Sequence, residues 1–182
     1  GLPAACHCLD QNFLSMVNEE GFLSVLDDHK GILYKVANSY CQHAEDRKDL
    51  IQEIIFQLWK SFDKYDSRFR YSTWIYRIAL NVAISFYRRE KMAGPASLEI
   101  TESILSIGDD TAHEEKETDL SILQQFISGL KELDRALMLL YLEEKAYREI
   151  AEIMGITETN VATRIARIKI KLKQQFAEAK KY

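Results

Sequence analysis

Two segments of the chain carry side chains whose types and spacing suit binding to nucleic acid. In the first, cations alternate with aromatic rings, and further basic residues follow. Its members are Arg68, Arg70, Tyr71, Trp74, Tyr76, Arg77, Asn81, Arg88, Arg89 and Lys91. Aromatic rings can stack on unpaired bases, while arginine and lysine bind phosphates. The segment therefore indicates contact with single-stranded nucleic acid, although Trp74 and Tyr76 could instead pack inside a helical unit.

The second segment, residues 147–161, has the pattern of a helix-turn-helix. Ile150, Ala151 and Met154 would face inward on a short helix, and Gly155 would form the turn. Thr157 would then cap a second helix. A small residue such as Ala151 lets two helices cross closely, as this motif requires. We therefore predict a DNA-binding motif whose second helix enters the major groove.

The second helix of this motif has two distinct faces. At about 100° per residue, an apolar stripe lies on one face and a polar, basic set on another. The apolar stripe consists of Val161, Ile165, Ile168, Leu172 and Phe176. The candidate DNA-binding residues are Thr157, Thr159, Asn160, Thr163, Arg164, Arg167 and Lys171. Arginine can bind guanine, asparagine can bind adenine, and threonine or lysine can hold phosphates, but an ordinary solvated helix face has the same composition.

The composition indicates an all-α protein. Only 2 prolines and 7 glycines occur among 182 residues, and residues that favour helices are plentiful. The formal net charge of −4 does not by itself indicate binding to nucleic acid. The charge is unevenly distributed, however, because basic residues dominate 160–182 and acidic residues dominate 98–118. Any such binding would therefore depend on local charge.

Hydrophobic periodicity predicts four helices before residue 92. Two of them would join near Lys30 and Gly31, and the third would begin near Asp46 and carry an apolar side. A polar, aromatic-bearing break at 63–67 precedes the fourth, a long helix for which Ser72 is the predicted cap. These helices would form one N-terminal unit.

Between residues 93 and 118 the periodicity fades, and acidic and small polar residues take over. Such a composition is typical of a flexible linker. We therefore predict two small helical domains, at 19–92 and 119–182, joined by an acidic linker at 93–118. Residues 1–18 would be a tail without clear helical periodicity, in which Met16 could be the natural first residue.

The sequence argues against several other classes of protein. The histidines are scattered, no nucleophile lies at a suitable spacing from a base, and no glycine-rich phosphate loop follows a strand, so an enzyme is not predicted. Three cysteines do not make a disulfide framework, and Cys6-His7-Cys8 lacks a second pair of metal ligands. No apolar run of roughly 18 residues is present to span a membrane. We predict a cytoplasmic protein with no metal, no cofactor, no small-molecule substrate and no membrane insertion.

The N-terminal half also resembles a known family. Residues 49–59, DLIQEIIFQLW, resemble the helix with which sigma factors bind core RNA polymerase, and residues 69–83, FRYSTWIYRIALNVA, resemble their promoter-melting segment. Together with the helix-turn-helix, the resemblance covers about residues 20–178 and is to the short extracytoplasmic-function group. Leu80 and Ser85 depart from the family pattern, which often has arginine and aspartate there, so the minus-ten sequence preference could differ.

The resemblance implies a polymerase-binding surface on this segment. Asp49, Gln52 and Glu53 would face the clamp helices of the polymerase's largest subunit, with Phe56 near that surface. Trp59 is expected in the core, because an apolar ring at helical spacing is more often buried. The loop at 62–72 would hold a base flipped out of the minus-ten element.

The function that the resemblance implies is promoter-specific transcription initiation. The helix-turn-helix would bind the minus-thirty-five duplex, and the first domain would open and hold the minus-ten strand. The implied partners are core RNA polymerase, promoter DNA and an anti-sigma factor. The acidic linker would thread near the RNA exit channel, although a plain tether explains its composition equally well. The alternative is a helix-turn-helix regulator that binds duplex DNA without core polymerase.

Overall fold

A computed structural model describes residues 5–92 and 122–179 of the chain, with side chains from Asn18 onward in the first stretch. Every regular element in these two stretches is helical, so the prediction of an all-α fold is confirmed. The helices are α1 (Ala5–Tyr40), α2 (Ala44–Ser61), α3 (Tyr71–Met92), α4 (residues 122–129), α5 (Glu132–Leu142), α6 (Tyr147–Met154) and α7 (Glu158–Ala179), with a 3₁₀ helix at Phe62–Lys64. Within the same stretches, no helix has an apolar run that could traverse a bilayer.

Helices α1, α2 and α3 pack against one another as the first unit. Leu50, Ile54 and Leu58 recur every four residues along α2 and are fully buried, because such positions lie on one face of a helix. They belong to the same apolar cluster as Ile75 and Ala79 of α3. The small side chain of Ala79 allows the helices to approach closely, so the amphipathic pattern read from the sequence builds this unit.

Helix α1 differs from the prediction in two ways. It continues without a break through Lys30 and Gly31, where two helices were expected to join, and its backbone is helical from Ala5. A glycine inside a helix costs only about 1 kcal/mol relative to alanine. Burial of Phe22 before it and Leu33 after it stabilises the helix by more than that. A single glycine is therefore too weak a signal to end a helix that is packed on both sides of it.

Helices α4 to α7 form the second unit, which contains the predicted helix-turn-helix. Ile150 and Ile153 of α6 are buried together with Val161 and Ile165 of α7. A smaller apolar cluster of Phe126, Met138 and Ile168 lies beside them. The two helices of the motif are thus fixed to each other by side chains at helical spacing, as the sequence predicts.

The turn between α6 and α7 has the backbone that its sequence requires. Gly155 has a φ of 66°, in the left-handed region where glycine is favoured. After the turn, the Thr157 Oγ1 accepts a hydrogen bond from the backbone N–H of Asn160 at 3.2 Å. Thr157 therefore caps α7, as predicted.

The two units pack directly on each other. Helix α3 of the first unit contacts α5 and α6 of the second, and buried side chains of both units form one continuous cluster. The sequence left this arrangement open, because a flexible linker permits both a closed and an extended pair of domains. The linker predicted at 93–118 lies outside the described residues. The structure shows the closed arrangement.

We expect Gly155→Ala to lower the free energy of unfolding by about 1 to 2 kcal/mol, because an alanine is strained in the left-handed conformation. Steric overlap is not the reason, since nothing lies within 4 Å of the position that a Cβ would take. Gly31→Ala is the matched control. Its Cβ also meets open space, but it lies inside α1, where alanine should stabilise by about 0.5 to 1 kcal/mol. Urea unfolding should show a lower free energy of unfolding for Gly155→Ala and a higher one for Gly31→Ala. A loss of stability in both variants would contradict the left-handed conformation assigned to Gly155.

Removal of the α7 cap should also be measurable. Thr157→Ala deletes the acceptor of the Asn160 N–H and should lower the free energy of unfolding by about 0.5 to 2 kcal/mol. Thr157→Ser keeps the hydroxyl oxygen and should retain most of that stability. An equal loss in the two variants, measured by urea unfolding, would show that the hydrogen bond is not what stabilises the helix start.

Candidate nucleic-acid and polymerase interfaces

Helix α7 presents a polar surface opposite a buried stripe. Val161, Ile165 and Ile168 are buried, and Leu172 and Phe176 are half-buried. Six of the seven candidate recognition residues are exposed on the other side: Thr157, Thr159, Asn160, Thr163, Arg167 and Lys171. The separation of the two faces, predicted from periodicity, is confirmed. The free face can enter a DNA groove without disturbing the core.

Arg164 is the one candidate recognition residue that is half-buried. Its Nη1 donates to Asp134 Oδ1 of α5 at 3.2 Å. This ion pair ties the middle of α7 to the neighbouring helix and holds the guanidinium in a defined position. Sequence reasoning missed Asp134, which lies 30 residues away and gives no local signal.

The rim of α7 carries two further features. The Lys169 Nζ lies 4.1 Å from the centre of the Tyr141 ring, and the hydrogen bond to the Tyr141 side chain raises the pKa of Lys169. Ile170, by contrast, is 58% exposed, as its position outside the apolar stripe predicts. We find no contact within the described residues that explains this exposed isoleucine.

The loop before α3 and the first turn of that helix hold a cluster of aromatic rings. Tyr65 and Tyr71 stack with their ring centres 4.2 Å apart, and Tyr65 meets the edge of Trp74 at 5.4 Å. The Tyr65 hydroxyl donates to the backbone carbonyl of Phe69, which closes the loop. Tyr71 and Trp74 remain half-buried, so their rings are partly accessible. A cluster of this kind can offer a stacking surface to an unpaired base.

Charged side chains surround this aromatic cluster. Arg68 and Arg70 are exposed, and Arg68 Nη2 lies 2.6 Å from Asp66 Oδ2. The hydrogen bonds from Arg68 hold the pKa of Asp66 below its usual range. The guanidinium of Arg77 lies over the Phe69 ring at 5.3 Å. The loop therefore places cations next to aromatic rings, as the sequence predicts.

The remaining candidates on α3 do not all lie on one accessible surface. Asn81, Arg88, Arg89 and Lys91 are exposed, Arg77 is half-buried, and Tyr76 is only 2% exposed. The basic residues at the helix end lie about 26 Å along the axis from Tyr71, since a helix rises 1.5 Å per residue. The helix itself begins at Tyr71, so Ser72 lies within the first turn and does not precede it.

An exposed apolar patch covers part of α1 and α2. It is lined by Glu19, Phe22, Leu23, Gln52, Ile55, Phe56 and Trp59. Phe56 is 57% exposed and Trp59 is 43% exposed, so the expectation that Trp59 lies in the core is wrong. The buried stripe of α2 explains this result. At about 100° per residue, Phe56 and Trp59 point away from Leu50, Ile54 and Leu58.

Polar side chains border this patch on α2. Asp49 and Gln52 are exposed, and Glu53 accepts a hydrogen bond from the Gln57 side-chain amide at 3.0 Å. The four residues proposed from the sequence for polymerase contact are thus near one another on the outer side of α2. The sequence analysis missed Leu23 of α1, which the packing of α1 on α2 brings to the same patch.

The described stretches contain no group of side chains suited to binding a metal ion. No three histidine, cysteine, aspartate or glutamate side chains come together there in a way that could hold an ion. Cys6-His7-Cys8 lies outside the described side chains. Cys41 is buried, and this burial raises the pKa of its thiol to about 11. A neutral buried thiol of this kind packs as a small apolar group.

Comparison with known proteins identifies both units. The model of Sigma-70 region 2 matches residues 25–92, and the model of Sigma-70 region 4 matches residues 120–172. The chain is 27% identical over 173 residues to the ECF RNA polymerase sigma factor SigW of Bacillus subtilis, covering 88% of this chain and 91% of SigW. It is 30% identical over 146 residues to the RNA polymerase sigma factor SigV of the same organism, covering 80% of this chain and 84% of SigV.

Solved structures show the same fold. CnrH in complex with the cytosolic domain of CnrY superposes with a TM-score of 0.63 at 20% identity, covering 88% of this chain and 90% of CnrH. The sigma factor RpoE in complex with the anti-sigma factor NepR from Bartonella quintana gives a TM-score of 0.61 at 19% identity, covering 87% of this chain and 96% of RpoE. Because the two family models together match more than half of the chain, in the expected order, this protein belongs to the sigma-70 family and is an RNA polymerase sigma factor of the extracytoplasmic-function type that serves transcription initiation.

Proposed function

We propose that this sigma factor divides promoter recognition between two domains, 19–92 and 119–182, joined by an acidic linker at 93–118. The second domain would read the minus-thirty-five duplex, and the first would open and hold the minus-ten strand. The observation that supports this division best is the exposed polar face of α7, which lies opposite an apolar stripe whose first three residues are buried. A helix with this construction, in the second position of a helix-turn-helix, suits the major groove.

On α7, the residues nearest the helix start would reach base edges. Asn160 and Thr163 lie in the first two turns and are exposed, and the N-terminal part of a recognition helix is the part that contacts bases. Arg164 would contact DNA from the position that Asp134 gives it. Arg167 and Lys171 lie further along the exposed side and would bind phosphates. Thr157 and Thr159 would do the same at the helix start.

On the first domain, the aromatic cluster would take up an unpaired base of the minus-ten element. Tyr71 and Trp74 are partly accessible, and Arg68 and Arg70 stand beside them with exposed guanidinium groups. Stacking would offset the loss of base stacking in the duplex, and the cations would neutralise nearby phosphates. Tyr76, Arg77, Asn81, Arg88, Arg89 and Lys91 would extend the contact along α3.

The apolar patch on α1 and α2 would bind core RNA polymerase. Phe56 and Trp59 leave large parts of their rings exposed, although Trp59 meets the edge of the Phe22 ring, and Asp49, Gln52 and Glu53 supply a polar border. Exposed aromatic residues inside a polar rim are the usual composition of a binding hot spot. The likeness of residues 49–59 to the polymerase-binding helix of sigma factors supports the clamp helices of the largest subunit as the partner surface.

An anti-sigma factor is the third proposed partner. Two solved structures with this fold are CnrH with the cytosolic domain of CnrY and RpoE with the anti-sigma factor NepR. We propose that a protein of this kind competes with polymerase for the apolar patch. Sigma factors are non-catalytic subunits, so we propose no reaction and no cofactor for this chain, and we expect it to work in the cytoplasm, where bacterial RNA polymerase works.

Run-off transcription from a promoter library with bacterial core RNA polymerase tests the recognition helix. Arg164→Ala combined with Arg167→Ala should lower initiation from responsive promoters by about tenfold or more, because each contact to DNA contributes about 1 to 3 kcal/mol. Lys173→Ala is the control, since Lys173 is a basic residue of α7 that lies off the polar face, and it should retain most activity. The contradicting outcome is that no promoter responds while the chain alone binds duplex DNA. In that case α7 would bind DNA as in a helix-turn-helix regulator that acts without polymerase, and the mechanism proposed for α7 would be wrong.

The polymerase-binding patch can be tested separately from DNA. Phe56→Ala and Trp59→Ala should each weaken the affinity for core RNA polymerase by about tenfold or more, because hot-spot aromatic residues contribute about 2 kcal/mol. Tyr34→Ala is the control, because Tyr34 is an equally exposed aromatic residue of α1 outside the patch. Fluorescence titration of core polymerase measures the affinities, and thermal unfolding checks the fold. Equal affinities for all three variants and the unmodified chain would rule out the patch.

A further inference from the structure

The second unit covers part of the surface that α3 would present to the minus-ten strand. The Arg77 guanidinium donates to the backbone carbonyl of Glu152 on α6, and Arg88 Nε donates to Glu132 Oε1 of α5 at 2.8 Å. Tyr76 is buried, and the Lys145 Nζ lies over its ring at 5.6 Å. These three α3 residues, all candidates for DNA contact, are therefore occupied by the second unit.

A buried cation lies at the centre of the contact between the units. Arg135 of α5 is 3% exposed, and its guanidinium lies over the rings of both Tyr40 and Tyr87, at 5.3 and 4.7 Å from their centres. Its Nη1 also donates to the backbone carbonyl of Ser39 at 3.3 Å. Both rings and this carbonyl belong to the first unit. The guanidinium also donates to the backbone carbonyls of Ser128 and Leu130 in its own unit, so the first unit supplies only part of the surroundings that this buried charge needs.

Two further contacts join the two units. The Tyr40 hydroxyl donates to the backbone carbonyl of Glu132 at 2.6 Å, and this buried site raises the pKa of Tyr40. Lys35 of α1 forms an ion pair with Glu143 at the end of α5. The contact between the two units thus consists of hydrogen bonds and ion pairs that surround a group of apolar side chains.

The recognition face of α7 is not covered in the same way. Asn160, Thr163 and Arg167 are exposed in the closed arrangement. The closed chain therefore leaves its candidate duplex-reading surface free while it covers its candidate melting surface. The two surfaces could not both be used in this state, because promoter elements about 25 base pairs apart are separated by about 85 Å of DNA, whereas α3 and α6 are in direct contact.

We propose that this closed arrangement is an autoinhibited state of the free sigma factor and that Arg135 is its latch. The inference rests on the proposed role of α3 in minus-ten binding. In the closed state the second unit competes with the DNA strand for Arg77, Arg88 and the surface around Tyr76. Binding to polymerase and promoter requires the units to separate, and the apparent affinity for the strand is lowered by the fraction of chains that is closed.

Chemical cross-linking of the full chain tests whether the closed state exists and is inhibitory. A carbodiimide should join the Lys35 amine to the Glu143 carboxylate in the free chain, because the two groups are in contact, and peptide mass spectrometry identifies the product. The cross-link should disappear when core RNA polymerase and promoter are added. Absence of the cross-link in the free chain would overturn the proposal, as would its persistence in a complex that initiates transcription.

Lys35→Glu combined with Tyr40→Phe should open the chain. The first substitution sets a second carboxylate against Glu143, and the second removes the hydroxyl that binds the Glu132 carbonyl. Neither position belongs to a proposed binding surface. The affinity of this variant for a fluorescein-labelled single strand from the minus-ten element of a responsive promoter should rise about five- to tenfold, although its charge is more negative. Small-angle X-ray scattering should give a larger radius of gyration.

Lys30→Glu is the matched control. It makes the same charge change on α1, but among the described side chains Lys30 pairs with Asp27 of the same helix alone, so neither the affinity nor the radius should rise. A second variant, Arg135→Gln, removes the latch itself and should give the same gain. Because Arg135 also donates to the Ser128 carbonyl within its own unit, circular dichroism of this variant must show the helical signal of the unmodified chain, which establishes that the unit is still folded. A larger radius without a gain in affinity, or no change in either variant, would overturn the proposal.

Two substitutions separate failure of this proposal from failure of the proposed function. Arg70→Ala and Asn81→Ala affect exposed candidate residues of the minus-ten surface whose side chains form no hydrogen bond or ion pair with the second unit within the described residues. If they leave run-off transcription unchanged, the role of α3 itself is wrong. If they reduce transcription while the opening variants bind the strand no better than the unmodified chain, the minus-ten assignment stands and only the autoinhibited state is wrong.

Discussion

Helix α3 packs on two sets of neighbours at once, and the rest of the structure depends on this constraint. One side joins the apolar core with α1 and α2 through residues such as Ile75 and Ala79. Another side meets α5 and α6, where Tyr76 is buried. Because a helix has a limited perimeter, little of the surface of α3 remains free to bind DNA. The same helix cannot be fully packed and fully available to DNA, and the position of the second unit decides between the two.

The two sides of α3 are held by different interactions. Within the first unit the contacts are apolar, and their separation would expose hydrocarbon to water at about 25 cal/mol per Å². Between the units, ion pairs and hydrogen bonds from Arg88, Arg77 and Arg135 surround a smaller apolar seam. Water, phosphates or another protein can replace such polar contacts at a small net change in free energy. This difference makes the contact between units the one that can open while each unit stays folded.

Much of the architecture could be predicted from local patterns. The stripe of α2, the turn at Gly155, the cap at Thr157 and the two faces of α7 all follow from periodicity or from a conformation that few residues adopt. The predictions failed where tertiary packing outweighed a weak local preference. Gly31 did not end α1, because residues on both sides of it are buried. Trp59 was expected in the core as an apolar ring at helical spacing, although its angle from the Leu50 stripe already places it outside.

The sequence by itself determined that the chain is helical, that it contains a helix-turn-helix with a polar recognition face, and that cations and aromatic residues alternate before and along α3. Each of these properties depends on residues a few positions apart. Only the tertiary structure decided that Asp134 holds Arg164, that Leu23 joins Phe56 and Trp59, and that Arg135 lies over the rings of Tyr40 and Tyr87. These contacts join residues far apart along the chain, and their geometry is set by how whole helices pack, which no local pattern encodes.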